Sequence, residues 1–165
     1  MGVSSKIESL RKIRFFRGLN DAELSELGNL CQNRSFAVGE ICQIEGQNPQ
    51  RIHFIISGRV GAVLRIPNYP HSSSEILIDT LSPGELFGWS ALIKGSPWST
   101  LKVMDQTEVF YIDADDLISL CESDYHLGYI LMKNLAALIS ARLRRNRMSI
   151  LNCIVAMKGV WAAWY

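Results

Sequence analysis

Between Leu81 and Thr100 the sequence LSPGELFGWSALIKGSPWST gathers the residues of this chain best suited to holding a small polar ligand. Pro83-Gly84 is a turn signal, and Glu85 follows the glycine directly. Glycine lets backbone approach a ligand closely, and successive N–H groups at a tight turn or helix start can hold an anion. A carboxylate beside such a cradle accepts hydrogen bonds from sugar hydroxyls, so Gly84, Glu85 and Leu86 suit a ribose-phosphate. A second breaker, Gly95-Ser96-Pro97, is followed by Trp98 and then by hydroxyl-bearing Ser99 and Thr100, with Lys94 supplying a positive charge in the same loop. On spacing alone these residues also describe an ordinary strand–turn–helix corner.

Other reactive side chains are scattered. His53 falls in a strand pattern, where an outward-facing position is expected; His71 falls in a loop and His126 at a helix start. The three have no ligand-type spacing, and no G-x-S-x-G, phosphate-loop or paired-carboxylate arrangement stands out. Asp113, Asp115 and Asp116 cluster at a helix start, where capping explains them. Cysteines 31, 42, 121 and 153 are too far apart for a metal cage or a secreted disulfide framework and read as buried thiols in a reducing cytoplasm. No catalytic or metal site is expected, and no required cofactor.

The elements that must position the corner follow from periodicity. Ile7, Leu10 and Ile13 mark a short amphipathic helix ended by Gly18; Asn20 caps a second helix with Asp21 and Glu23 in its first turn and Leu24, Leu27 and Leu30 buried. From Asn33 the period falls to two, with about eight short strands to Ile112, among them a hairpin expected at Ser57-Gly58 and a polar loop from Pro67 to Ser74. The pattern predicts a mainly β fold, a jelly-roll barrel (double-stranded β-helix) with helices at either end. Asp113 starts a helix ending near Ser123. A longer one from Asp124 carries apolar residues on more than one face, enough to pack on the barrel and on a second copy of itself. Arg142, Arg144, Arg145 and Arg147 are expected at its C-terminal end, complementing the helix dipole, with contact to a phosphate or an acidic partner as the alternative. The expected division is residues 1–123 for the barrel with its N-terminal helices, 124–148 for a dimerisation helix, and 149–165 for an apolar tail that docks on another surface.

At 165 residues, 48% hydrophobic and net charge +1, the chain describes one well-buried globular unit without a generally basic, nucleic-acid-binding surface. No signal peptide is visible and no apolar run reaches the ~18 residues a bilayer span requires, so a cytoplasmic protein is expected.

The runs FAVGEI at 36–41, Glu45-Gly46, FIISGRV at 54–60 and PGELFG at 83–88 recur in this order in cyclic-nucleotide-binding domains. The chain resembles the sensor half of the bacterial catabolite-activator/fumarate-nitrate-regulator (Crp/Fnr) superfamily over about residues 10 to 147. The resemblance implies a non-enzymatic signal-transduction sensor that binds cyclic AMP or cyclic GMP, pairs through its long helix as a homodimer and signals through that helix. It assigns Glu85 to the ribose 2′-hydroxyl. It also implies an arginine after the second breaker for the cyclic phosphate, where this chain has Trp98; Lys94 is the nearest charge. Transcription regulators of the superfamily carry a helix-turn-helix after the long helix, and only 18 residues follow Arg147. DNA binding by this chain alone is therefore not expected. The alternatives are an interaction module with a degenerate pocket, or the sensor fragment of a regulator.

Overall fold

The computed structural model describes residues 3–65 and 75–162, so the Pro67–Ser74 loop and His71 lie outside the described residues. Two helices, α1 (Val3–Arg11) and α2 (Asp21–Leu30), flank a 3-10 turn at Arg14–Phe16 and lead into eight strands. These are β1 (Gln32–Phe36), β2 (Ile41–Gln43), β3 (Arg51–Ser57), β4 (Val60–Arg65), β5 (Glu75–Leu81), β6 (Leu86–Phe87), β7 (Thr100–Val103) and β8 (Thr107–Asp113). A second 3-10 turn, Trp89–Ile93, follows β6, and α3 (Ala114–Ser123) and α4 (Tyr125–Ala162) complete the order. No helix among the described residues is long and apolar enough to cross a membrane.

The strands form two four-stranded antiparallel sheets, ordered β1-β8-β3-β6 and β2-β7-β4-β5. The eight strands and flanking helices match expectation, but the sheets are not closed into a barrel: among the described residues no ladder joins one to the other. The expected hairpin at Ser57-Gly58 is likewise corrected. β3 pairs with β6 and β8 while β4 pairs with β5 and β7, so this turn carries the chain from one sheet to the other. Gly58 has φ +85°, and a Cβ there would lie 2.4 Å from the Gln106 carbonyl oxygen. The turn signal was legible, but which strands it leaves unpaired is a property of the assembled sheets.

Two apolar clusters fill the fold, one on each face of the first sheet. Between the sheets lie Phe36, Ile55, Val60, Leu81, Phe87, Leu101, Val103 and Val109. On the outer face Ile52, Phe54, Phe110 and Ile112 meet Leu10, Phe15, Phe16, Leu24 and Leu27 of the N-terminal segment and Leu117, Leu127, Leu131 and Leu135 of α3 and α4. Covering both faces overturns the outward placement of His53. It is 8% exposed, its ring stacked on Phe87 at 4.6 Å. A strand that alternates toward two cores has no solvent face.

Of the expected helix caps, Asn20 holds and Asp113 does not: it makes no side-chain cap bond at the start of α3 and instead accepts from Arg51 Nε at 3.1 Å. Asn20 and Glu23 form a reciprocal capping box: the Glu23 N–H donates to Asn20 Oδ1 at 3.0 Å and the Asn20 N–H to Glu23 Oε2 at 2.7 Å. Glu23 Oε1 also meets Nδ1 of His126 at 2.6 Å, tying the start of α2 to the start of α4. Asp124 caps α4 by accepting from the His126 and Leu127 N–H groups. Asn134 anchors α4 further along, donating to the Phe15 and Arg17 carbonyls at 2.8 Å.

The helix does not end near 148 but continues unbroken through Ala162. The four arginines are therefore mid-helix, and the expected role at a helix C-terminus does not hold. Apolar side chains of the tail beyond Leu151 lie outside the described residues.

Candidate functional site

The corner after β5 is built by short-range bonds. The Glu85 N–H donates to the Ser82 carbonyl at 3.0 Å, and the Ser82 N–H returns a bond to Glu85 Oε2 at 3.0 Å. Gly84 takes φ +84° and donates its N–H to Ile55 O at 2.9 Å. These two N–H groups are consumed inside the fold, so the Gly84–Glu85 turn presents no free anion cradle of the kind its sequence suggests. Gly88, at φ +78°, passes so close to β3 that a Cβ would sit 2.2 Å from Arg51 O.

Glu85 is 8% exposed as a residue, and Arg145 reaches it from α4, Nη2 donating to Oε1 at 2.9 Å. The same Arg145 nitrogen lies 3.3 Å from Oδ2 of Asp79 on β5. One turn earlier Arg142 places Nε 3.7 Å from Asp79 Oδ2 and donates from Nη2 to the Leu86 carbonyl at 3.0 Å. Burial pulls the Arg142 guanidinium below its ordinary value against the pull of Glu85 and Asp79. For Arg145 burial acts in the same direction, but Glu85 and Asp79 outweigh it and the group is raised.

Beside this cluster lies a cavity of about 40 Å³ lined by Ala62, Asp79, Leu81, Ser90, Trp98, Ser99, Leu101 and Arg142, among others. That is room for roughly two or three waters at ~10–15 Å³ each, against the ~300 Å³ or more of a small-molecule pocket. Trp98 and Ser99 of the expected set line it; Gly84, Glu85, Leu86, Lys94 and Thr100 do not. Trp98 is 48% exposed, so the indole stands at the rim and does not fill the space. Thr100 is turned to the segment after β2, its Oγ1 accepting from the Glu45 N–H at 3.2 Å. Lys94 caps the 3-10 turn with φ +50°. Sequence reading missed Asp79 and Ser90; Arg142 and Arg145 were singled out as part of a basic cluster, and their spacing of three sets both on one helix face, toward the acidic pair Asp79 and Glu85.

Among the described residues no group of three His, Cys, Asp or Glu side chains is placed to hold a metal. Burial raises the Cys31 and Cys42 thiols to about 12, far from the thiolate that ligation or nucleophilic attack requires.

The family profile for the cyclic nucleotide-binding domain matches residues 33–124. Among solved structures, a cyclic nucleotide-binding protein from Geobacter metallireducens GS-15 shares 29% identity with a TM-score of 0.69, over 82% of this chain and 96% of that one. The Thermus thermophilus catabolite activator protein shares 25% identity with a TM-score of 0.65, over 83% of this chain and 61% of that one. The regulatory domain of Toxoplasma gondii PKA, crystallised with cAMP, aligns at 17% identity and TM-score 0.61 over 71% of this chain and 43% of its own, a likeness of fold. No curated protein sequence matches the chain.

Proposed function

Since the chain belongs to the cyclic nucleotide-binding domain family, of the Crp/Fnr type, we propose that it is a non-enzymatic cytoplasmic sensor for which a cyclic nucleotide, cyclic AMP or cyclic GMP, is the first candidate ligand. The observation that carries this reading is that the acid on the glycine corner meets α4 directly, through Arg145. A change at Glu85 is therefore felt by the helix without an intermediary. The site residues on this reading are Gly84, Glu85, Leu86, Ser99 and Thr100, with Lys94 and Trp98 at the rim. Asp79 and Ser90 join them.

The helix also has the form of an output element. Leu127, Leu131 and Leu135 are buried on the roll, while Tyr125, Tyr129, Met132, Ala136 and Leu143 are exposed on another face. With half-buried Ile139 these follow steps of four and three residues, the spacing of a coiled-coil seam. We read residues 124–148 as a homodimer contact and the domain itself as taking no part in DNA or membrane binding.

The test is a melting titration with cyclic AMP and cyclic GMP. Ligand at about 100 times its Kd adds about 2.7 kcal/mol, which moves the midpoint of a domain this size by roughly 5–10 °C. No shift at millimolar nucleotide removes the cyclic-nucleotide reading. Trp98→Arg should tighten binding, because a guanidinium adds charge-assisted hydrogen bonds worth about 1.5–3 kcal/mol each. The indole at the position expected to hold the phosphate, together with the small cavity, favours a second reading: an interaction module whose pocket is a relic. Deleting residues 149–165 separates the two, since loss of a partner with nucleotide binding retained points to an independent interaction surface.

A further inference from the structure

Helix α4 is fastened to the rest of the fold by different contacts along its length. Its first half is held by leucine packing, with Leu127 and Leu131 fully buried and Leu135 6% exposed, and by the His126 and Asn134 bonds to the N-terminal segment. From Arg142 onward the recorded side-chain bonds to the roll are polar: Arg142 to Asp79 and the Leu86 carbonyl, Arg145 to Asp79 and Glu85. The carboxylates are well shielded, their side chains 10% and 11% exposed, so these pairs are weakly screened. Two positive and two negative charges cancel, leaving no net positive field for a phosphate beside Arg142. Both Glu85 oxygens are engaged, one by Arg145 and one by the Ser82 N–H. A sugar hydroxyl gains Glu85 Oε1 in this geometry by displacing Arg145, and a cavity of about 40 Å³ does not admit a nucleotide unless its walls, Arg142 of α4 among them, move.

We infer that Arg142 and Arg145 form a latch that holds the site shut from α4, so that a hydroxyl-bearing ligand enters by taking Glu85 from Arg145 and frees the helix from residue 142 onward. The inference rests on the proposed ligand site at Glu85 and adds how that site is regulated. The ligand must bind the unlatched arrangement better than the latched one, and its apparent affinity falls by the fraction of molecules that are unlatched. The outcome is a site whose ligand affinity and helix freedom are set by the same two ion-paired arginines.

The experiment compares R142Q/R145Q with the unaltered chain and with R144Q, which removes the same kind of charge from an exposed position on the same helix. Backbone amide exchange is followed across residues 143–151 without ligand, and cyclic AMP affinity is measured in parallel. The latch predicts faster exchange in R142Q/R145Q but not in R144Q. It also predicts tighter binding, by about tenfold if the latched form outnumbers the open one ten to one. Unchanged exchange, or weaker nucleotide binding, overturns it; the second result would make the arginines ligand holders. Faster exchange with no nucleotide bound by any variant sustains the latch and removes cyclic AMP as its ligand. The single R145Q variant, which keeps Arg142 against Asp79, gives the same readings if the double variant does not fold.

Discussion

His53 shows how much one residue's chemistry depends on what lies across the sheet. Burial, reinforced by the positive charges of Arg34 and Arg51, lowers its pKa from 6.5 to about 4. The unfolded chain thus binds a proton that the folded chain refuses between those values. Stability attributable to this group is present above about pH 6.5 and is lost as pH falls toward 4, by about 3 kcal/mol at most. Denaturant unfolding at pH 4.5 and 7 should show a smaller acid loss in His53→Leu than in the unaltered chain; equal losses would refute the assignment. His126 has the opposite sign. Its hydrogen bond to Glu23, then the Glu23 charge, raises its pKa, so the α2–α4 tie is strongest below the ordinary histidine value and fades as pH rises through the folded one. The Arg142–Arg145 pair acts at the same scale, with two guanidinia deciding whether Glu85 is available.

At the scale of the element, α4 presents three faces with three duties. The Leu127–Leu131–Leu135 stripe docks it, the arginines meet the Gly84–Glu85 corner, and Tyr125, Tyr129, Met132 and Leu143 face out. Leu131→Ala, which empties a fully buried position, should cost about 2–5 kcal/mol in denaturant unfolding. Tyr129→Glu, at a position 65% exposed, should leave the stability of the fold nearly unchanged but convert the proposed dimer to monomer in sedimentation. A dimer that survives Tyr129→Glu would place the interface elsewhere. A loss of folding in both variants alike would mean that the two faces are not separable.

At the scale of the molecule, two sheets share a core without sharing a ladder, and the turns that cross between them carry unusual backbone. Gly58 and Gly39 both have positive φ, +85° and +84°, but a Cβ meets Gln106 and Thr107 at the first and nothing within 4 Å at the second. Gly39→Ala should therefore cost only the left-handed backbone penalty, about 1–2 kcal/mol. Gly58→Ala adds a steric clash that β3 and β8 cannot relieve without moving, for a total of about 3 kcal/mol or more. Equal melting temperatures for the two variants would show that the crossing is more pliant than its contacts imply.

What the sequence determined by itself was everything carried by local physics. The Asn20 cap, the start of α4 near Asp124, the strand positions and the Pro83-Gly84 turn depend on neighbours a few residues away, and each stands where its pattern put it. The ordered runs from FAVGEI to PGELFG were enough to identify the family. Tertiary structure decided what depends on residues far apart. His53 is buried because its face of the first sheet is the one turned to the core between the sheets, beside Phe36 and Phe87, and Ser57-Gly58 crosses between sheets because β3 and β4 find other partners. Arg145 reaches Glu85 across 60 positions because α4 packs beside β5 and the corner that follows it. Periodicity records which face of an element is apolar, but not which charged group will stand opposite it once the elements are packed.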